Sequence, residues 1–143
     1  MYFVSRNKIH LILFVMNTTY TILICDDDTF ISKMYAYKFE LEGFKVFVVS
    51  TGDIVIENIR KIRPDIVVLD LMMPNMTGFE VLQKLQDDPD ETLRLIPIIT
   101  STNLAQQTDI DIVKKLNAAE YVVKSEITPS DLLAIVQKHL PTQ

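Results

Sequence analysis

The sequence predicts an α/β fold: a five-stranded parallel sheet, doubly wound, with helices on both faces. Three observations carry this. Short apolar runs rich in β-branched residues recur five times along the chain, as buried parallel strands do. Between them lie stretches with apolar residues at helical spacing, ended by glycine or proline. The connections are short, so strands alternate with helices and right-handed crossovers keep the strands parallel.

Thr21 to Cys25 is the first strand. Ile31, Met34, Tyr35, Phe39 and Leu41 roughly follow helical spacing, and Gly43 sits where that helix would stop. Lys45 to Val49 is the second strand. Gly52 opens a second helix with Val55, Ile56, Ile59 and Ile62 on one face, closed by Pro64. Ile66 to Leu69 is a fully apolar third strand, and Phe79, Leu82 and Leu85 mark a third helix. Asp87 to Thr92 reads as an acidic loop broken by Pro89. Ile96 to Thr100 is a fourth strand beginning around Pro97, a residue tolerated at a strand start. Ala105 to Leu116 is a fourth helix with Ile112, Val113 and Leu116 inward, and Glu120 to Val123 is a short fifth strand. Thr128 or Ser130 caps a last helix through Leu132, Leu133, Val136 and Leu140, stopped by Pro141.

At 143 residues the chain is long enough for one domain with a real core, and 48% hydrophobic composition argues against disorder. Net charge is −5 and no basic run exists, which disfavours direct nucleic-acid binding. A single cysteine, Cys25, excludes an internal disulfide and fits a reducing cytoplasm; inside an apolar strand it reads as a small buried hydrophobe. His10 and His139 lie near opposite ends of the chain and read as structural. Residues 1–20 form an extension ahead of a domain over 21–140. Within it, Ile9 to Met16 is apolar but for His10. That run is shorter than the roughly 20 residues a bilayer requires, and no small-residue cleavage site follows it. Two readings stand: Met16 is the natural start, or the segment is an arm that docks on this domain or a neighbour.

With all strands parallel, their carboxyl ends meet at one edge, where open α/β sheets place their chemistry. That edge receives Asp26, Asp27 and Asp28 after strand one and Asp70 after strand three. It also receives Thr100, Ser101 and Thr102 from strand four and Lys124 from strand five. Converging carboxylates repel one another and need a counter-charge. A hard divalent cation such as Mg²⁺ answers that need, because it takes oxygen ligands and works beside phosphate. A carboxylate beside it can attack phosphorus, with an ammonium and a hydroxyl for the phosphoryl oxygens. Asp28, just before an apolar-periodic run, reads as a helix N-cap. Strand alternation puts Thr100 and Thr102 on one face and Ser101 on the other. Met72 and Met73 read as loop-anchoring apolar residues, since a hard cation does not favour sulfur.

These residues resemble the receiver domain of two-component response regulators. The likeness covers Thr21 to Leu140. It includes the acidic pair Asp26-Asp27, the run Asp70-Leu71-Met72-Met73-Pro74 with Gly78 beyond, Thr102 five residues after Pro97, and Lys124 with Tyr121 three residues earlier. The resemblance implies a flavodoxin-like fold, a phosphoacceptor at Asp70, and Mg²⁺ held by Asp27, Asp70 and the Met72 carbonyl, with Asp26 acting mainly through water. It implies that Thr102, Lys124 and Tyr121 bind the phosphoryl group and switch the domain. The partners it implies are a histidine kinase or phosphotransfer protein and a downstream protein target reached through the face of helix four, strand five and helix five. It implies signalling rather than enzymatic turnover, with no direct nucleic acid and no membrane, in the cytoplasm, as in stand-alone chemotaxis-type receivers; a homodimer is compatible with all of this.

The chain departs from the family pattern in three places. Ser125 follows Lys124 where the family usually has proline, often through a cis bond, so a trans bond and a differently shaped loop are expected here. Asn103 replaces the usual small residue after Thr102, and the Asp87 to Thr92 loop is longer than usual. Two rivals compete. One is a pseudo-receiver used only as an interaction module. The other is a phosphatase of the haloacid dehalogenase type with Asp26 and Asp28 in its strand-one motif; there Phe30 occupies the motif's fifth position and no late acidic motif exists.

Overall fold

The computed structural model describes residues 19–103 and 106–142. The Met16 start and the arm over Ile9 to Met16 lie outside these, as do His10 and Ala105.

The described residues form five strands and five α-helices in strict alternation: β1 (Thr21–Cys25), α1 (Thr29–Leu41), β2 (Lys45–Val49), α2 (Val55–Ile62), β3 (Ile66–Asp70), α3 (Gly78–Gln86), β4 (Ile98–Thr102), α4 (Gln107–Lys115), β5 (Glu120–Val123) and α5 (Pro129–His139). All strand pairs are parallel, in the order β2-β1-β3-β4-β5. The doubly wound sheet expected from the sequence is the observed one.

Strand alternation splits the core in two. On one face Leu23, Cys25, Val67, Leu69 and Ile98 pack under Val55 and Ile59 of α2, Val81, Leu82 and Leu85 of α3, and Val113 of α4. On the other, Ile22, Ile24, Ile66, Val68, Ile99 and Val122 pack under Tyr35 and Phe39 of α1 and Leu132 and Val136 of α5. Every residue of β3 is buried: the apolar run Ile66 to Leu69 demands it, and Asp70 at the strand's end is buried with it. Cys25 is the inert buried hydrophobe expected, its thiol pKa pushed far up by burial and by the nearby Asp26 and Asp70 charges.

Local chemistry fixes the helix ends. The Asp28 carboxylate accepts from Phe30 and Ile31 N–H groups, so it is the N-cap of α1. Thr77 with Glu80 and Thr128 with Asp131 form capping boxes for α3 and α5. Thr128, not Ser130, caps α5. His139 at the far end of that helix lies 2.6 Å from Glu120 Oε2, tying α5 to the start of β5.

Four expectations need correction. β4 starts at Ile98 and ends at Thr102, because a 3₁₀ turn over Glu91–Leu95 occupies the approach and proline lacks an N–H for the ladder. The acidic loop is thus partly ordered: Arg60 of α2 pairs with Asp88, and Arg63 bonds Asp90 and Thr92, each at 2.7 Å. Met34 and Leu41 of α1 and Ile112 of α4 are exposed; the wheel that buries Tyr35 and Phe39 turns Met34 and Leu41 outward. Met73 is buried and anchors its loop, whereas Met72 is exposed. Among the described residues no helix is long and apolar enough to cross a membrane.

Candidate functional site

The carboxyl edge of the sheet opens into a cleft of about 480 Å³ lined by Asp27, Asp28, Asp70, Met72, Thr102, Asn103, Gln106, Asp109 and Lys124. β1 ends at Cys25 and so delivers Asp26 and Asp27; β3 ends on Asp70 itself; Lys124 follows β5 directly and opens a 3₁₀ turn over Lys124–Glu126. No peptide bond among the described residues is cis, so the Lys124–Ser125 bond is trans, as expected without proline.

Tight backbone packing positions Asp70. Gly78 donates its N–H to the Leu71 carbonyl at 3.0 Å. A Cβ on Gly78 would lie 2.5 Å from the Asp70 carbonyl oxygen, so only glycine lets α3 start there. The Asp70 carboxylate accepts from the Met72 N–H at 3.0 Å, which orients it across the mouth of its own loop.

One buried cation bridges two buried carboxylates. Lys124 Nζ lies 2.6 Å from Asp26 Oδ2 and 3.0 Å from Asp70 Oδ2. Asp26 is 3% exposed, Asp70 4% and Lys124 8%. Burial lifts the Asp70 pKa above the usual carboxylate range; the Met72 N–H and Lys124 oppose this without cancelling it, and the Asp26 charge adds to it. Burial also works against the Lys124 ammonium, but its bonds to Asp26 and Asp70 outweigh that and hold its pKa above the ordinary lysine value. Two carboxylates share one ammonium, and the exposed Asp27 adds a third negative charge at the mouth.

The donor set fits a hard divalent cation. Asp26, Asp27 and Asp70 each offer a carboxylate oxygen, all within 4.8 Å of one another, and no softer donor is among them. The excess negative charge left after Lys124 is the electrostatic reason for such an ion.

These residues meet as the sequence suggested, with differences. Asp26 lies beneath the cleft and is engaged by Lys124 and by the Asp28 N–H at 2.9 Å, a pairing the sequence did not announce. Thr100 lies deeper, donating to the Glu120 carbonyl at 3.0 Å. Ser101 is buried with no hydrogen-bond partner for its hydroxyl among the described residues. Thr102 reaches the cleft wall. Tyr121 does not line it. It is paired in register with Thr100 and borders a separate groove between α4 and β5. Burial raises its phenol pKa, Asp109 raises it further, and a backbone hydrogen bond at Gln106 opposes both, which puts the ring beside the start of α4. Gln106 and Asp109 were missed in the sequence, although they stand close together where α4 begins. The Asp28 carboxylate, second of the strand-one phosphatase motif, is taken up in capping α1.

The sequence model of the response regulator receiver domain matches residues 22–137. The chain belongs to the response regulator receiver domain family. This receiver domain is 33% identical over 119 residues to the DNA-binding response regulator MtrA of Mycolicibacterium smegmatis, covering 83% of this chain and 50% of MtrA. It thus spans about half the length of the curated relatives it matches. Among solved structures it is similar to the chemotaxis response regulator CheY4 of Vibrio cholerae, with TM-score 0.78 and 26% identity over 86% of this chain and 100% of that one. It is also similar to the BeF3-activated receiver domain of Klebsiella pneumoniae RstA, with TM-score 0.76 and 26% identity over 85% and 99% of the two chains.

Proposed function

We propose that this receiver accepts a phosphoryl group on Asp70 from the phosphohistidine of a partner histidine kinase or phosphotransfer protein. The observation that carries the reading is the convergence of Asp26, Asp27 and Asp70 on one cleft with Lys124 among them. An Asp70 carboxylate oxygen attacks phosphorus. A P–O bond forms as the P–N bond breaks, and the electron pair leaves on the imidazole nitrogen, which takes up a proton. A carboxylate whose pKa is raised is the stronger nucleophile once ionised, so burial of Asp70 favours attack.

Asp27, Asp70 and the Met72 carbonyl would hold Mg²⁺, with Asp26 acting mainly through water. The ion supplies positive charge against the carboxylates and the phosphoryl oxygens when it is bound. Lys124 has three donors; it keeps a carboxylate and offers a second N–H to a phosphoryl oxygen. Thr102, on the cleft wall, donates its hydroxyl to another.

Signalling follows from the register. Thr102 lies one alternate position beyond Thr100, which is paired with Tyr121, so the side chains share a face of the sheet. Thr102 moving toward a phosphoryl group vacates space beside α4, and Tyr121 turns into it. That shifts the population of the α4–β5–α5 face toward the form a separate protein target binds. The trans bond at Ser125 shapes the end of this face rather than the chemistry.

The test is incubation with a small phosphodonor and MgCl₂ followed by intact-mass measurement. Wild-type protein gains the mass of one phosphoryl group and Asp70→Asn gains none. Failure of the wild type to gain mass from the small donor and from histidine kinases overturns the reading and leaves the pseudo-receiver.

A further inference from the structure

Helix α1 has two apolar faces. Tyr35 and Phe39 face the sheet, and directly opposite them Phe30, Met34, Tyr37 and Leu41 face outward. These four are 75%, 37%, 66% and 66% exposed. They step along the helix by four, three and four residues, the spacing of a helix–helix seam. A single exposed leucine needs no explanation, but four large apolar side chains along one outward stripe do.

We propose that this stripe pairs with the same stripe of a second copy of the chain, the two α1 helices running antiparallel. In that arrangement Phe30 faces Leu41 of the second copy and Met34 faces its Tyr37, so each apolar knob meets another and the contact is self-complementary, as a two-fold interface must be. The flanking charges favour this orientation. Lys33 and Glu40 border one side of the stripe and sit in no ion pair within the described residues. Antiparallel pairing sets Lys33 against Glu40 of the second copy, twice by symmetry. Parallel pairing sets Lys33 beside Lys38 of the second copy, like against like. On the other flank Lys38 and Glu42 already bind each other at 3.2 Å.

The 13-residue helix is about 20 Å long. Four side chains supply several hundred Å² per copy, below the roughly 800 Å² of a standard interface. The dimer is therefore weak and reversible, at the low end of interface size.

The experiment is sedimentation equilibrium of the full chain from about 10 µM to about 1 mM, concentrations suited to a weak association. The wild type shows a monomer–dimer equilibrium. Tyr37→Lys, at an exposed position the fold does not need, is monomeric throughout. Lys33→Glu weakens the dimer about tenfold by turning two attractive pairs into repulsive ones, and Lys33→Glu with Glu40→Lys restores it to within about twofold. A wild type that stays monomeric at about 1 mM overturns the proposal, as does a dimer indifferent to these substitutions. If the wild type is monomeric and Tyr37→Lys instead exposes residues 1–18 to protease, the chain's own N-terminal segment covers the stripe and the proposal fails.

Discussion

Replacing Lys124 with methionine tests whether charge, rather than packing, organises the cleft. Methionine keeps most of the stem and removes the ammonium. Lys124 Nζ stands 2.6 Å from Asp26 and 3.0 Å from Asp70, and all three residues are more than nine-tenths buried. Breaking a buried pair by removing one partner costs about 3–5 kcal/mol, because the remaining charge loses its compensation. Here two carboxylates lose it. The cleft also admits water, which screens them, so the lower end applies: about 3 kcal/mol at neutral pH, or a Tm lower by about 10 °C. The loss depends on pH in a definite direction. As pH falls through the Asp70 pKa, already raised by burial, protonation relieves the repulsion and the variant approaches the parent. The Lys124 pKa lies above its ordinary value of 10.5, so its contribution is present throughout that window and fades only as pH rises through the higher folded value. Thermal melts at about pH 4.5 and 7.5 measure the difference, and the same substitution made in Asp70→Asn costs less because one carboxylate is gone. A loss equal at both pH values and in both backgrounds would show that Lys124 acts through its stem, and the electrostatic reasoning would be wrong.

Asp70→Asn follows from the same balance. A raised carboxylate pKa means the folded state holds the proton more tightly, so ionised Asp70 subtracts stability as pH rises through that pKa. The variant, in which Lys124 keeps Asp26, melts a few degrees higher near pH 7.5 and loses the advantage below about pH 3.5; a variant less stable at neutral pH contradicts this. Gly78→Ala drives a Cβ to 2.5 Å from the Asp70 carbonyl oxygen and 2.8 Å from Leu71 Cα. Backbone must move, at about 1–3 kcal/mol, and urea unfolding reads it; an unchanged midpoint refutes the close-approach role. Ser101→Ala removes a buried hydroxyl with no partner among the described residues. It stabilises by about 1 kcal/mol in the same assay, and a clear loss would reveal a bond that Ser101 makes in solution.

Much of this was legible in the sequence because it is local. Strand runs, the Asp28 cap and the loop that Pro74 and Gly78 force are written in neighbouring residues, whereas the close approach of Gly78 to the Asp70 carbonyl emerges only in the fold. Thr102 was legible by its spacing of five residues after Pro97, which the family resemblance supplies, since strand alternation leaves Thr100 on the same face; β4 begins two residues later than its apolar run, because Pro97 has no N–H to give. What stayed hidden depends on residues far apart in the chain. Arg60 of α2 and Arg63, just beyond that helix, order the acidic loop from far along the chain. Lys124 takes Asp26, nearly a hundred positions away, as its nearest partner, a buried ion pair that no local pattern announces. The outward stripe of α1 was concealed for the opposite reason: an apolar helix reads as core whichever way it faces, and only the sheet decides which face is covered.

In the function proposed above a single carboxylate, that of Asp70, takes the phosphoryl group. Borohydride reduction converts an acyl phosphate on aspartate to homoserine, and tandem mass spectrometry of the digested, phosphodonor-treated protein locates it. Homoserine is expected at position 70 alone, dependent on Mg²⁺ and absent without the donor. Homoserine at position 26 or 27, or none anywhere in protein that has gained phosphoryl mass, would contradict it.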